Sequence, residues 1–220
     1  MTPFHPDYPA ELTRRHVDGD DVGRSAFVRD DWPPTTPIEI VEPDPAWPAR
    51  FEQLRVRLDG ALGAVARRIE HVGSTSVPGL PAKPILDIDV LVQDTSAEET
   101  YVPALERIGA TLVIREPWWN GHRMLITPGG GANVHVFPTD APEPLRHVLF
   151  RDWLRTHPAD RELYARAKRD LAVSTAERPV DYNLAKNEVI DDIYTRVFAV
   201  EPARHPAWPD GPLVLRAPQG

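Results

Sequence analysis

Asp87 and Asp89 are the residues whose types and spacing most directly suggest chemistry. They lie in a β-rich run at 85–92, where strand alternation puts both carboxylates on one face and the aliphatic residues at even positions on the other. Their Cα atoms should be about 7 Å apart, so both side chains could reach one cation. A divalent ion would offset the cost of burying two like charges, whereas an edge strand would leave both acids solvated.

A turn of small residues, Gly73, Ser74, Thr75 and Ser76, precedes this strand. Its hydroxyl groups and accessible backbone amides could cradle a phosphate. An ordinary tight turn or a helix N-cap uses the same residue types. The pairing of the turn with the two aspartates therefore carries more weight than either feature alone.

Three basic residues could place positive charge near phosphate oxygens. Lys83 comes just before the strand and could supply an ammonium group. Lys186 falls on the apolar stripe of the last predicted helix, four residues after Tyr182, so it either reaches out to solvent or points into a site. Arg151 is in helical register with His147, and either could reach a phosphate. Solvated charges are the alternative interpretation of Lys83 and Arg151.

His135 is the candidate that could act as a third ligand or as a base. It shares a predicted strand face with Asn133 and Phe137, and its imidazole could bind a metal or accept a proton. A structural histidine with satisfied hydrogen bonds is the alternative. A hydrolytic metal site made by His71, His122 and His135 is also conceivable, but the spacing of these residues is scattered.

The elements that must position these residues predict an α+β protein. Apolar residues spaced by three and four predict a helix at 45–67. Strands are predicted at 69–72, 85–92, 111–114, 123–127 and 133–137, with a helix near 97–108. Helical patterns follow at 142–156, 159–173 and 180–197. Strands first and helices afterwards favour a mixed or antiparallel sheet with flanking helices and a C-terminal helical segment.

Composition bounds the remaining possibilities. The 220 residues, 41% of them hydrophobic, suffice for one sizeable core. Clustered prolines predict an extended or disordered arm at 1–37 and a Pro-rich tail at 198–220 around a domain at 38–197. The net charge of -8 argues against general nucleic-acid binding. The sequence has no apolar run for a membrane span or a signal segment, which predicts a cytoplasmic protein, and no cysteine, so His, Asp and Glu remain as metal ligands.

The stretch from His71 to Asp89, which reads HVGSTSVPGLPAKPILDID, resembles the signature of the GrpB family. The resemblance extends upstream through IEIV at 38–41, Pro45 and Trp47. Downstream it extends through 133–137, 149–154 and 182–190, so it covers about 38–197. GrpB-like proteins occur alone and as a domain appended to some dephospho-CoA kinases. Because this chain contains no P-loop motif, kinase activity is not expected of it.

The family is similar to the nucleotidyltransferase superfamily, with its GS turn and DxD strand. The resemblance implies a nucleotidyltransferase-like fold in which Gly73 and Ser74, with the neighbouring Thr75, hold nucleotide phosphates. It also implies that Asp87 and Asp89 bind Mg²⁺. Lys186 would approach the triphosphate from the helical side, and Lys83 and Arg151 would add positive charge.

The resemblance leads us to expect Mg²⁺-dependent transfer of a nucleotidyl group from an NTP to a small-molecule or protein acceptor. Active nucleotidyltransferases usually have a third carboxylate on a neighbouring strand, and His135 occupies that position here, as a base or third metal ligand. The alternative is a module that binds a nucleotide or a CoA-like phosphate compound without turnover. An imidazole in the third position favours this alternative, because it supplies no negative charge to a two-metal site.

Overall fold

Five strands form one sheet that carries the candidate residues. The computed structural model of the chain describes residues 4–15, 27–29, 38–175 and 181–205. Its strands are β1 (Arg68–Val72), β2 (Leu86–Val92), β3 (Thr111–Glu116), β4 (His122–Ile126) and β5 (Ala132–Pro138), in the order β1-β2-β5-β4-β3. β2 pairs with β5 in parallel, and the other neighbouring strands pair antiparallel.

Alternation along β2 gives the sheet an apolar face and a polar face. The aliphatic residues at even positions from Leu86 to Val92 are at most 5% exposed. They pack in a core with α2 (Trp47–Leu62) and α3 (Val102–Arg107). Asp87 and Asp89 therefore face the other side, where Asn133 and His135 of β5 lie beside them in register. Burial of the apolar side chains fixes this orientation, because a slip of one residue would bring the acids into the core.

Helices cover the polar face of the sheet and form a second core. They are α4 (Pro142–Thr156), α5 (Pro158–Ser174), α6 (Asp181–Ala185) and α7 (Asn187–Val197). Leu149, Leu154, Ile193 and Val197 are buried in this layer. The predicted α+β class, with a mixed sheet, flanking helices and a C-terminal helical segment, is confirmed. Within the described residues, no helix has the length and apolar character needed to cross a membrane.

Three helices differ from their predicted bounds. The first, predicted at 45–67, ends at Leu62, where Gly63 adopts a φ of 51° that favours glycine. The second, predicted at 97–108, is a 3₁₀ turn at Glu98–Thr100 followed by α3, since Tyr101, with φ -132° and ψ -35°, departs from helical geometry. The third, predicted at 180–197, is interrupted at Lys186, although the dihedral angles there stay helical, at -71° and -17°.

The described parts of the two predicted arms include segments that pack on the helical layer. Residues 4–15, which we call the N-terminal segment, contain the short helix α1 (Ala10–Thr13), and Leu12 is fully buried. The Tyr8 ring lies 5.0 Å from that of Phe198, which is also fully buried. A β-bridge joins Phe27 to Ile114. Residues 4–15 and Phe198 are thus packed rather than extended. Apart from 4–15, 27–29 and 198–205, the two arms lie outside the described residues.

The turn after β1 brings Gly73 against Asp87. Gly73 has a φ of 65°, and a Cβ atom there would lie 2.3 Å from Oδ2 of Asp87. The following 3₁₀ turn, Ser74–Ser76, is fastened by a hydrogen bond of 2.6 Å from Oγ of Ser76 to the carbonyl of Gly73. Only glycine combines this backbone conformation with such a close approach to the carboxylate.

Gly73→Ala should therefore destabilise the protein by more than the backbone conformation alone would cost. We expect the free energy of unfolding to fall by about 2–4 kcal/mol, through left-handed strain and the clash with Asp87. Gly129→Ala is a matched control, because Gly129 has a φ of 72° with open space around the added atom, and we expect it to cost about 1 kcal/mol. Denaturant unfolding measures both values, and equal losses would contradict the packing of Gly73 on Asp87.

Candidate phosphate and metal site

Asp89 is a fully buried carboxylate with a histidine partner. Its side chain is 0% exposed, and Oδ2 accepts a hydrogen bond from Nδ1 of His147 at 2.8 Å. Burial by itself would lower the pKa of His147, but attraction to Asp89, and to Glu143 after it, raises that pKa to about 9. His147 is therefore protonated at neutral pH. The second oxygen of Asp89, Oδ1, has no hydrogen-bond partner among the described residues.

Asp87 lies on the same strand face and is held by β5. Its Oδ1 accepts a hydrogen bond of 3.0 Å from Asn133 and lies 3.8 Å from Nε2 of His135. Burial would raise the pKa of Asp87, but the proximity of His135, followed by the hydrogen bond from Asn133, holds this pKa below its usual range. Asp87 is consequently charged at neutral pH.

A chain of hydrogen bonds fixes the orientation of His135. Nδ1 of His122 lies 2.7 Å from a carboxylate oxygen of Glu116, and Nε2 of His122 lies 2.9 Å from Nδ1 of His135. Burial lowers the pKa of His122 to about 4, so this ring is neutral at pH 7. Because its one N–H is donated to Glu116, its Nε2 must accept the proton of Nδ1 in His135. His135 thus presents Nε2 towards Asp87.

Lys83, Lys168 and Lys186 converge near the Gly73–Ser74 turn, and we call them the lysine cluster. The Nζ atoms of Lys83 and Lys186 each lie 4.7 Å from the centroid of the Tyr182 ring. Lys168 is 2% exposed, and its Nζ donates to Oγ of Ser74 at 2.9 Å and to the carbonyl of Pro81. Within the described residues none of the three forms an ion pair with a carboxylate. Asp87 is the acid whose electrostatic attraction raises the pKa of all three, although burial outweighs it.

The positive charge of this cluster is incompletely compensated. Burial, with repulsion from Lys186, lowers the pKa of Lys168 to about 7. Burial, with repulsion from Lys83, lowers that of Lys186 to about 8. Crowded, buried charges of one sign disfavour the folded state, and an anion that binds only that state would recover stability. The cluster therefore suits a ligand with more than one negative charge.

Of the lysine cluster, Lys186 lines a cavity of about 400 Å³, within the usual size range for small-molecule sites. Gly73 and Ser74 form part of its wall. The charged side chains that line it are mostly basic: Arg15, Glu143, Arg146, His147, Arg151 and Lys186. An anion in the cavity would therefore contact the Gly73–Ser74 turn and lie near several basic side chains.

Most of the residues predicted from the sequence meet at this site, but two have other partners. Thr75 is 3% exposed, and its hydroxyl group lies 3.0 Å from Nε2 of His71, so it does not face the cavity. Arg151 lines the cavity, yet its guanidinium donates to Glu70 at 2.8 Å and to Asp152 at 2.7 Å. Its charge is therefore largely compensated.

The donor set fits Mg²⁺ through Asp87 and Asp89 alone. In the described part of the chain, no three His, Asp or Glu side chains are arranged around a common point as metal ligands. This applies to the predicted trio with His135 and to the alternative with His71 and His122. Mg²⁺ is commonly bound by one or two carboxylates, with waters and phosphate oxygens in the other positions. The unpartnered Oδ1 of the buried Asp89 is consistent with such a ligand.

Sequence reasoning missed Lys168 and the pairing of His147 with Asp89. Lys168 follows the buried Tyr164 by four residues, on one side of α5, and the same spacing singled out Lys186 after Tyr182. The signal was hidden because α5 is rich in other charged residues. The pairing of His147 with Asp89 joins residues 58 positions apart and has no local signal.

The family model described as GrpB protein matches residues 37–196. The chain belongs to the GrpB family. A UPF0157 protein of Halalkalibacterium halodurans is 46% identical to this GrpB chain over 167 residues, which cover 76% of this chain and 86% of that protein. The crystal structure of the conserved protein GrpB from Enterococcus faecalis has 32% identity and a TM-score of 0.65, covering 73% of this chain and 97% of that one. The family resemblance drawn from the sequence is thus confirmed.

The GrpB part also resembles a segment of a larger enzyme. The dephospho-CoA kinase of Mycolicibacterium paratuberculosis is 31% identical over 189 residues, which cover 74% of this chain but 46% of that protein. Less than half of the kinase is therefore shared with this GrpB chain.

Asp89→Asn should abolish the raised pKa of His147. An NMR titration of the imidazole is expected to give about 9 in the wild type and a clearly lower value in the variant, because the largest attraction that opposes burial is lost and only those of Glu143 and Asp87 remain. Asp87→Asn is the control, since it removes the same charge from the same face without a direct bond to His147, and we expect a smaller decrease. A His147 pKa that is unchanged in Asp89→Asn would contradict the ion pair.

Proposed function

We propose that this chain binds a nucleoside triphosphate with Mg²⁺ and transfers its nucleotidyl group to a small-molecule or protein acceptor, as a nucleotidyltransferase-like protein. The observation that supports this most directly is that Ser74, His147 and Lys186 line one cavity. Lys168 is bonded to Ser74, and Asp89 to His147, directly behind that lining. The lysine cluster matches the charge of a triphosphate, and the aspartates match the needs of the accompanying metal ion.

The lysine cluster and the Gly73–Ser74 turn would bind the phosphates. Lys168 holds the Ser74 hydroxyl group at the cavity wall through a hydrogen bond of 2.9 Å. Lys186 lines the same cavity and has no carboxylate partner among the described residues, so its ammonium group can pair with phosphate oxygens. Charge-assisted hydrogen bonds of this kind are stronger than neutral ones.

Asp87 and Asp89 would hold Mg²⁺, which, when bound, supplies positive charge that neutralises phosphate oxygens. His147 retains one oxygen of Asp89 at 2.8 Å, which leaves Oδ1 for the metal ion. The buried ion pair thereby fixes the direction of the carboxylate. Positioning of this kind lowers the reorganisation that binding would otherwise require.

His135 would accept the proton of the acceptor hydroxyl group at Nε2. In the transfer step a bond forms between the acceptor oxygen and the α-phosphorus, the bond to the β-phosphate breaks, and pyrophosphate leaves. The proton goes to Nε2, because His122 and Glu116 keep the other ring proton on Nδ1.

A second candidate function is binding of a nucleotide or a CoA-like phosphate compound without turnover. His135 itself favours it, because an imidazole adds no negative charge to a site for two metal ions. The similarity to part of a dephospho-CoA kinase is consistent with a CoA-like ligand. For either function, the net charge of -8 favours a small ligand over a nucleic-acid backbone. We also propose that the protein is cytoplasmic.

Thermal-shift titrations with each NTP, with and without Mg²⁺, test the binding site. We expect a Mg²⁺-dependent rise in the melting temperature of the wild type, because a ligand that binds only the folded state stabilises it. Asp87→Asn and Asp89→Asn should lose this rise. Asp59→Asn should keep it, because Asp59 is exposed on α2, away from the site.

Two outcomes of these titrations would change the proposal. No shift with any NTP would overturn the triphosphate site and direct the search to other phosphorylated metabolites. A Mg²⁺-dependent shift without release of pyrophosphate across a screen of acceptors would instead support the second candidate function.

A further inference from the structure

Arg15 connects the N-terminal segment to the helical turn that follows Lys186. Its Nη1 donates to the side-chain oxygen of Asn187 at 2.5 Å, and its Nη2 donates to the carbonyl of Asn187 at 3.3 Å. Nε and Nη2 also donate to Oδ1 of Asp191 at 3.0 and 2.7 Å. Arg15 is therefore hydrogen-bonded to the first turn of α7, directly after Lys186, which separates α6 from α7.

This arrangement holds protein groups rather than a ligand. Four of the five N–H groups of the guanidinium are engaged with Asn187 and Asp191, and Asp191 neutralises its charge. Although Arg15 lines the cavity, little of its hydrogen-bonding capacity remains for a phosphate. Its effect on a bound anion must therefore be mainly indirect.

The segment that carries Arg15 is itself firmly seated. Leu12 is fully buried in the helical layer, and its carbonyl accepts a hydrogen bond from Arg146. The amide of His5 donates to the carbonyl of Phe198 at 2.7 Å. A segment anchored at both ends can resist movement of the residue that it holds.

Lys186 needs such support, because its position is electrostatically unfavourable without a ligand. Its ammonium group lies near Lys83 and Lys168, has no ion-pair partner among the described residues, and would gain solvation by turning towards water. Lys186 lies between α6 and α7, where its amide donates to the carbonyl of Tyr182 at 3.3 Å and its carbonyl accepts from the amide of Ile190 at 3.1 Å. The hydrogen bonds from Arg15 to Asn187 and Asp191 add a restraint from outside the helix to this part of the backbone.

We propose that Arg15 is a positioning residue that keeps Lys186 directed towards the cavity, so that the N-terminal segment is part of the phosphate-binding site. This segment lies outside residues 37–196, which the GrpB model matches, so the family match assigns it no role. The inference rests on the proposed function, because it takes Lys186 to bind phosphate.

A double-mutant cycle in the full chain tests this role, with inorganic tripolyphosphate as the probe and calorimetry as the measurement. We expect Lys186→Ala to weaken binding by roughly tenfold or more and Arg15→Ala by about threefold to tenfold, whereas the double variant should bind like Lys186→Ala alone. Arg14→Ala is the matched control. It removes the same charge from the neighbouring, exposed position and should bind like the wild type.

The outcomes separate the two claims. Wild-type binding by Lys186→Ala would refute the proposed phosphate site. A weakened Lys186→Ala together with an Arg15→Ala that behaves like Arg14→Ala would refute only the role of Arg15. Additive losses would mean that Arg15 contacts the anion itself and would overturn the positioning role.

A second variant keeps the test decisive if Arg15→Ala does not fold. Asp191→Asn weakens the same restraint from the α7 side and leaves Arg15 in place. It should weaken tripolyphosphate binding in the wild-type background and leave it unchanged in the Lys186→Ala background. An unchanged affinity in the wild-type background would overturn the proposal.

Discussion

Burial of the Asp89 carboxylate in the middle of the sheet constrains the structure around it. A carboxylate removed from water is costly unless a charged partner and hydrogen bonds compensate it, and His147 provides both at 2.8 Å. That contact ties α4 to the polar face of β2. One turn later on the same helix, Arg151 reaches Glu70 and the carbonyl of His71 on β1, so α4 is fastened to two adjacent strands. The cavity lies between this helix, the Gly73–Ser74 turn and the other helices of the layer.

The lysine cluster differs from the other charges around the cavity, most of which are paired with one another. Asp87 and one oxygen of Asp89 are bonded to neighbours on β5 and on α4, whereas the lysine cluster is held by Ser74, a backbone carbonyl and aromatic rings. Lys168 and Lys186 consequently have lowered pKa values, and their unfavourable burial is a local cost to stability. Such a cost is typical of binding sites, where groups are positioned for a partner that arrives later. In our proposal that partner is a triphosphate with its metal ion.

The sequence predicts the parts of this site whose signals are local. Alternation in β2 puts Asp87 and Asp89 on one face, and the small residues at Gly73 and Ser74 mark the turn, as the structure confirms. Lys168, the partner of Asp89 and the chain from Glu116 through His122 to His135 could not be predicted, because they depend on how distant elements pack. The interruption at Lys186 has no proline or glycine to mark it. The packed N-terminal segment was hidden by the proline-rich composition around it.

The most direct test is a crystal structure of the chain bound to Mg²⁺ and a non-hydrolysable analogue of the NTP that gives the largest thermal shift. We expect the phosphates to contact Ser74, Lys168 and Lys186, and the metal ion to contact Asp87 and Oδ1 of Asp89. A nucleotide bound elsewhere, or phosphates that contact neither Lys168 nor Lys186, would contradict the proposed site.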